Sequence, residues 1–207
     1  MTVHQLKVTL MYIDPPIWRR LQVRSRTSLA ELHLILQWTM GWEDCHRHAF
    51  GVPRQRRWRK GRLEPVKEME EADVTLDQLG VGVRLIYLYD FGDSWVHEIE
   101  VEEICPVQDV VAYPRCLDGA RACPPEDCGG WAGYDEMLEA LRSRRGPRYR
   151  EVKQFLGGAR FHPEAFSVAA VNRELARFQQ RPASDAAGGL EAHFPDGRPQ
   201  MPAGHPG

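Results

Sequence analysis

The residues best suited to chemistry are concentrated in the segment Asp90–His97, which contains two aspartates and a histidine. A carboxylate beside an imidazole fixes the tautomer of the ring and raises its basicity, as acid–base catalysis and metal binding require. The same residues also suit a turn, in which Asp90 and Asp93 accept hydrogen bonds from turn amides while His97 is a core histidine. Both interpretations stay open, and Asp90, Asp93 and His97 are candidate catalytic residues.

A second acidic pair, Glu126 and Asp127, stands between two prolines and two glycines. These flanking residues indicate a stiff, shaped loop that could aim both carboxylates at the Asp90–His97 segment. Such a cluster would suit a divalent cation such as Mg²⁺. Alternatively, the pair caps the following helix or forms ion pairs with Arg115 or Arg121. Glu126 and Asp127 therefore join the candidates for a metal-dependent, hydrolase-like site.

The cysteines raise the hypothesis of a zinc site. Three thiols lie in one apparent loop, and a further cysteine or histidine could complete a tetrahedron. In a strand, residues 46 and 48 would project to the same side, which favours joint ligation. The spacing lacks the paired Cys-x2-Cys knuckles typical of zinc sites, so buried or incidental thiols are the alternative. The cofactor prediction is zinc or another divalent metal, with candidate ligands Cys116, Cys123, Cys128, His46 and His48.

A basic segment begins at Arg54, with six cations and one tryptophan in nine residues. Phosphate contacts combined with a stacking ring are typical of nucleic-acid binding. The alternative is a solvated loop balanced by the acidic residues after it. The formal net charge of −2 argues against general electrostatic binding to nucleic acid but allows a local patch. The candidate nucleic-acid-binding residues are Arg54, Arg56, Arg57, Trp58, Arg59, Lys60 and Arg62.

The overall composition is that of a soluble globular protein, with 43% hydrophobic and 27% charged residues among 207. No apolar run approaches the roughly 20 residues that cross a bilayer, and no secretory signal is visible. We therefore expect a cytoplasmic protein without a membrane partner. In that compartment the five cysteines are expected to be free thiols or metal ligands rather than disulfides.

Periodicity indicates the elements that must position these residues. Alternating apolar residues over 5–13 and 17–23 predict a hairpin, and a second hairpin is predicted for 83–89 and 94–104. The capping box that begins at Ser28 predicts a helix that ends at Gly41. Helical spacing of apolar residues predicts three more helices between residues 134 and 178. In the second hairpin His97 lies on the apolar side of its strand.

Short motifs along the chain share the pattern of one known family: Trp18-Arg-Arg, Leu29-Ala-Glu-Leu-His33, Gly41-Trp42, His46-Arg-His48, Tyr87-Leu-Tyr-Asp-Phe-Gly-Asp-Ser-Trp-Val-His97, Pro124-Pro-Glu-Asp-Cys-Gly-Gly130, Gly133-Tyr134 and Val171-Asn172. Together they resemble the plasmid pRi ORF-three-like family of small bacterial proteins, some of which are encoded beside transposases. The resemblance implies a compact α+β fold with an antiparallel sheet covered by helices. It implies no reaction, because the family has no established biochemical role.

We therefore predict one α+β domain over residues 3–180. In residues 181–207, 15 of 27 residues are Pro, Gly or Ala, so a disordered tail is predicted. The functional prediction is a binding or accessory module, associated with nucleic acid and linked to mobile elements. The alternative is a metal-dependent, hydrolase-like enzyme that uses the Asp/His/Glu cluster. No serine- or tyrosine-recombinase signature is recognisable, so recombinase activity is not predicted.

Overall fold

Alternating apolar and polar residues build one antiparallel sheet at the centre of the fold. The computed structural model describes residues 1–53 and 66–180. In this part of the chain the sheet has seven strands: β1 (Thr2–Leu10), β2 (Ile17–Arg24), β3 (His48–Pro53), β4 (Val66–Glu68), β5 (Arg84–Tyr89), β6 (Trp95–Pro106) and β7 (Arg115–Ala120). Their order across the sheet is β4-β3-β5-β6-β1-β2-β7. The two predicted hairpins are β1–β2 and β5–β6.

Four helices cover one face of this sheet: α1 (Leu29–Met40), α2 (Gly130–Ser143), α3 (Gly146–Phe155) and α4 (Val168–Gln179). The start of α1 is fixed by Ser28, whose hydroxyl accepts a hydrogen bond from the amide of Glu31 at 3.1 Å. The helix ends at Gly41 in the left-handed conformation, with a φ of 80°. Both ends of α1 lie where the sequence predicts them.

The main core fills the space between the helices and the sheet. The large apolar side chains of β5 and β6, including Tyr87 and Trp95, are fully buried there. A smaller cluster on the opposite face contains Ile86, Leu88 and Val96. Burial on one face explains the alternation along β1, whereas β5 is buried on both faces. The predicted α+β fold, a single domain with an antiparallel sheet covered by helices, is confirmed.

The first part of the cysteine segment is a strand, although the sequence predicts a loop there. β7 pairs with β2 at the edge of the sheet, but its residues lack the β-branched and aromatic side chains that mark most strands. Asn172 of α4 compensates for the free edge. Its side-chain oxygen accepts a hydrogen bond from the Cys116 amide at 2.7 Å, and its side-chain nitrogen donates to the Cys116 carbonyl at 2.9 Å. A side chain thus replaces the missing neighbour strand.

Two predicted segments lie outside the described residues. They are the basic segment within 54–65 and the tail 181–207. Among the described residues, none of the helices is both long enough and apolar enough to cross a membrane. The boundaries of the domain at residues 3 and 180 stay predictions.

Candidate functional site

The antiparallel register brings three connections to the same end of the sheet. His48 at the start of β3 pairs with Tyr89 at the end of β5. Trp18 at the start of β2 pairs with Ala120 at the end of β7. The α1–β3 loop, the β5–β6 turn and the β7–α2 loop therefore meet there. The two sequence motifs that carry the candidate carboxylates come together at this point.

The contact between the two motifs is direct. The Asp93 carboxylate accepts a hydrogen bond from the Gly129 amide at 3.1 Å. A Cβ atom on Gly130 would overlap the backbone carbonyl of Asp93, and Gly130 has a φ of +66°. Only glycine fits both the close approach and the left-handed conformation. The Gly-Gly end of the second motif therefore allows it to lie against the turn of the first.

The side chains gathered here form what we call the junction cluster: Cys45, His46, Tyr89, Asp90, Glu126 and Asp127. Asp90 performs the turn role that the sequence allowed, because its Oδ1 accepts hydrogen bonds from the amides of Gly92 at 2.9 Å and Asp93 at 3.2 Å. Its Oδ2 lies 3.8 Å from His46 Nε2. One carboxylate thus shapes the turn and also faces the cluster.

Glu126 is held by the α1–β3 loop and by β5. Its Oε2 accepts a hydrogen bond from the Glu43 amide at 2.8 Å, and its Oε1 accepts one from the Tyr89 hydroxyl at 2.5 Å. The thiol of Cys45 lies 3.7 Å from the same Oε1. The ring of Trp42 stacks on Tyr89, with the centroids 5.1 Å apart. These contacts fix the orientation of the carboxylate.

The alternative partners of the acidic pair are occupied elsewhere. Arg115 donates to the side chain of Gln22 on the neighbouring strand. Arg121 pairs with Glu164 at 3.0 Å. The residue before α2 makes no side-chain capping hydrogen bond. Glu126 and Asp127 therefore serve the junction cluster.

His46 occupies the middle of the cluster. Its Nε2 lies 3.1 Å from Asp127 Oδ1 and 3.8 Å from Asp90 Oδ2. This nitrogen is shielded from solvent, yet within the described parts of the chain no group forms a hydrogen bond with it. Two ligands about 2.1 Å from one metal ion lie about 3.0 to 3.4 Å apart. The distance from His46 to Asp127 falls within this range, and the distance from His46 to Asp90 lies above it.

Two overlapping sets of potential ligands share this histidine. One set is His46, Asp90 and Asp127, and the other is Cys45, His46 and Glu126. Within each set the ligand atoms all lie within 4.8 Å of one another. A cation near His46 Nε2 is thus within reach of carboxylate, imidazole and thiol groups.

The electrostatic field at the junction is negative. Burial raises the pKa of Asp93, and the neighbouring charges of Asp90 and Asp127 raise it further. Burial likewise raises the pKa of the Cys45 thiol, with Glu126 contributing in the same direction. Neighbouring carboxylates make each additional negative charge less favourable. A bound cation would relieve this repulsion.

A buried pair of histidines, His33 and His48, packs against the α1–β3 loop. The rings of His33 and His48 stack with centroids 3.4 Å apart and planes within 5°. His33 Nε2 lies 2.7 Å from Asp44 Oδ1, and His48 Nε2 lies 2.8 Å from the buried carboxylate of Glu71. Burial lowers the pKa of His33. Asp44 directly precedes Cys45, so this pair fixes the loop that presents the junction cluster.

Sequence reasoning missed the supporting role of His33, Asp44 and Glu71. The signal in the sequence is that His33 shares the helical spacing of the apolar residues of α1, which places it on the buried face. Its contact with Asp44 depends on the left-handed backbone of that aspartate, which has a φ of 56°. Asp90 and Asp127 at the junction share this uncommon conformation, with φ values of 54° and 58°. Such backbone conformations cannot be read from residue spacing.

His97 lies in the core, away from the carboxylates. It is fully buried, and its Nδ1 donates to the carbonyl of Trp95 at 3.1 Å. Its ring edge packs against Trp42. Among the described residues, no hydrogen bond or ion pair joins His97 to an acidic side chain. Burial lowers its pKa to about 4. This environment matches the core-histidine interpretation.

The three cysteines of the zinc hypothesis point to separate partners. Cys116 is buried in β7, and its thiol lies 3.4 Å from the Asp118 carbonyl. The thiol of Cys123 contacts Met40 of α1 at 3.2 Å. In the described chain, none of the potential metal-binding groups contains Cys116, Cys123 or Cys128. The position of Cys116 in a strand explains why the thiols do not converge.

The side chains of His46 and His48 also lie in different environments. Residue 46 precedes β3, so the alternation expected for a strand does not apply to it. His46 belongs to the junction cluster, whereas His48 lies in the buried pair. The predicted nucleic-acid-binding residues, 54 to 62, lie outside the described residues.

The junction cluster and the buried histidine pair lie within the part of the chain that one family model matches. The family model described as "Plasmid pRiA4b ORF-3-like protein" matches residues 2–170. The chain belongs to this family. The match covers every strand of the described sheet and the three connections that build the junction cluster. It ends within α4.

Two relatives of this plasmid pRiA4b ORF-3-like chain extend the comparison. An uncharacterized protein, y4hQ, from Sinorhizobium fredii (strain NBRC 101917 / NGR234) is 32% identical over 181 residues, which cover 84% of this chain and 91% of the relative. A crystal structure of a protein of unknown function, MM3350, from Methanosarcina mazei Go1 has a TM-score of 0.71 and 32% identity. It covers 82% of this chain and 96% of its own. The solved structure supports the fold, and neither comparison names a reaction.

Proposed function

We propose that this protein binds a divalent transition-metal cation at the junction cluster and uses the bound metal for hydrolysis. The observation that carries the proposal is the position of His46 Nε2, which is shielded from solvent and lies beside Asp90 and Asp127 without a hydrogen bond from any described residue. Polar atoms in such positions normally have a partner. Asp127 lies within ion-pair distance of this nitrogen but forms no hydrogen bond with it, and a cation between the two groups would bind both.

The donor set favours a metal with affinity for both nitrogen and oxygen. His46, Asp90 and Asp127 offer one imidazole and two carboxylates, and Cys45 and Glu126 add a thiol and a third carboxylate nearby. Imidazole suits zinc, iron and copper, whereas magnesium prefers oxygen ligands alone. Zinc or another divalent transition metal is therefore the best match to this cluster.

The proposed chemistry is activation of a water molecule. Three protein ligands leave a coordination position for water, and a bound metal ion lowers the pKa of that water towards neutrality. Glu126 is placed to accept the released proton, since Tyr89 and the Glu43 amide hold its carboxylate beside the ligands. The proposed reaction class is thus metal-dependent hydrolysis.

Elemental analysis and calorimetry test the metal site. We expect untagged protein to bind zinc or manganese at one ion per chain. The substitutions His46→Asn and Asp127→Asn should each weaken binding by at least tenfold, because each removes a ligand. The matched controls His162→Asn and Asp109→Asn change the same residue types at exposed positions. Equal binding by His46→Asn and His162→Asn would contradict the proposal.

A separate assay addresses the reaction. The metal-loaded protein should hydrolyse chromogenic phosphate or carboxylate esters, and removal of the metal should abolish the rate. Glu126→Gln should retain the metal and lose about a hundredfold in kcat, since it keeps the shape of the side chain but removes the base. A variant with full activity would show that Glu126 is not the proton acceptor.

A second candidate function follows from the basic segment. We propose nucleic-acid binding through residues 54 to 62 because six cations flank one tryptophan there. The cytoplasmic location and the link to mobile elements are part of the same proposal. DNA binding at low salt should be lost when Arg56, Arg57 and Arg59 are replaced by alanine. Binding that survives this replacement would remove the segment from consideration.

A further inference from the structure

A cavity of about 730 Å³ opens between α2, α3 and the segment that connects α3 to α4. None of the residues of the junction cluster lines it. Its wall instead carries a concentration of positive charge, from Arg121, Arg142, Arg144, Lys153 and Arg160. Among the described residues that line the cavity, the only acidic one is Glu164, which forms an ion pair with Arg121 at 3.0 Å.

Three of these cations lack a counter-charge. In the described ranges, Arg142, Arg144 and Arg160 form no ion pair with an acidic side chain. An arginine that does not line the cavity behaves differently. Arg148 of α3 pairs with Glu136 at 3.0 Å and with Glu151 at 3.2 Å. Within the described residues, the unpaired guanidinium groups of Arg142, Arg144 and Arg160 thus share one cavity.

This concentration does not reflect a generally basic protein. The formal net charge of the chain is −2. Like charges around a concave surface repel one another and focus a positive potential into the space they enclose. Burial of Arg121 and its hydrogen bonds to Glu164 and to the Pro15 carbonyl anchor one side of this wall. An anion in the cavity would provide the missing counter-charge.

The remaining wall is apolar and aromatic. Leu138 and Leu141 of α2 line the cavity together with the rings of Tyr149 and Phe161. The volume falls in the range of about 300 to 1,000 Å³ that is typical of small-molecule sites. Arginine binds phosphate oxygens through two parallel N–H donors, and aromatic rings accept flat apolar groups. The two parts of the wall therefore suit the two parts of one ligand.

We propose that this cavity binds a phosphorylated small molecule of nucleotide size. Its phosphate groups lie against Arg142, Arg144 and Arg160, and its ring portion lies against Tyr149 and Phe161. The site is independent of the junction cluster and of the metal proposed there. The protein would thus bind two ligands of opposite charge, a cation at the junction cluster and an anion in this cavity.

Isothermal titration calorimetry with three probes tests this proposal. ADP and pyrophosphate should bind at low salt, whereas adenosine should not, because it lacks the phosphate groups. The substitutions Arg142→Ala and Arg160→Ala should each raise the Kd for ADP by about tenfold or more, as expected for loss of a charged hydrogen bond. Arg150→Ala is the matched control, since Arg150 is exposed on α3 and does not line the cavity.

Several outcomes would overturn the proposal. Absence of ADP and pyrophosphate binding would do so, as would an equal loss of affinity in Arg150→Ala and Arg142→Ala. A single-stranded oligonucleotide that binds more tightly than ADP, with affinity that rises with length, would assign the cations to a nucleic-acid surface instead. Thermal unfolding of each variant without ligand verifies that the fold is intact. Arg121 is left unchanged because it anchors the wall.

Discussion

His46 and His97 carry the same imidazole in opposite surroundings. His46 lies among carboxylates at the junction of two loops, and its Nε2 is near both Asp90 and Asp127. His97 is fully buried and interacts with backbone carbonyls. A metal ligand needs a free lone pair and a charged neighbourhood, and only the first of these two environments supplies both. The buried environment of His97 disfavours a positive charge on its imidazole ring.

The buried His97 leads to a prediction of pH-dependent stability. Burial lowers the pKa of His97 from its ordinary value of 6.5 to about 4 in the folded state. The unfolded chain therefore takes up a proton below pH 6.5 that the folded chain resists, so stability is lost as the pH falls. The expected loss from this residue is about 2 kcal/mol at pH 5.

Urea unfolding at pH 7.5 and pH 5 measures this effect. The substitution His97→Gln removes the titrating group, so the free energy of unfolding should fall less between the two pH values than in the native sequence. His162→Gln, at an exposed position, should leave the pH dependence unchanged. An unaltered pH dependence in His97→Gln would show that His97 is protonated equally in both states.

At the scale of elements, the contact between α4 and β7 satisfies backbone groups at the free edge of the sheet. Asn172→Ala removes two hydrogen bonds to the backbone of Cys116 and leaves both groups unpaired. We expect a loss of about 2 kcal/mol in the free energy of unfolding, measured by chemical denaturation. The neighbouring exposed substitution Arg173→Ala should change it by less than about 0.5 kcal/mol. Equal stability of the two variants would show that β7 is held by its pairing with β2 and that Asn172 adds no stability.

Some elements could be predicted from the sequence because their signals are local. The capping serine and the glycine stop define α1, and alternation defines the β5–β6 hairpin. β7 was missed because its pairing depends on β2 and on Asn172, which are distant in the sequence. The proximity of the two acidic motifs was a hypothesis for the same reason. Spacing cannot show that Gly130 lies against Asp93.

At the scale of the whole molecule, the junction cluster requires the complete fold. Its side chains come from three connections and from the end of β5, which only the full strand order brings to one end of the sheet. The cavity proposed for phosphate is built separately, from α2, α3 and the segment after α3. Its ligand should therefore stabilise the helical layer, while a metal ion should stabilise the loops at the end of the sheet. Each ligand raises the free energy of unfolding according to its own affinity and concentration.

A shortened chain tests the predicted domain boundary. A protein that ends at Gln180 should have the same thermal midpoint as the full chain to within about 2 °C, because the removed residues include few large apolar side chains. Differential scanning calorimetry provides the measurement. A decrease of about 5 °C or more would mean that residues 181–207 contribute to the folded domain. A chain that ends at Gly158 lacks α4 and should fail to fold.

The position of β1 has a consequence for the timing of synthesis. Leu6 pairs with Leu21 of β2 on one side and with Val101 of β6 on the other. At about 5 to 20 residues per second, translation reaches β6 roughly 5 to 20 s after β1. Until then β1 lacks its β6 partner, so the β1–β2 hairpin has an open edge, and an isolated hairpin is marginally stable. The nascent chain is therefore most vulnerable to aggregation before its first half is complete, when chaperone protection of β1 matters most.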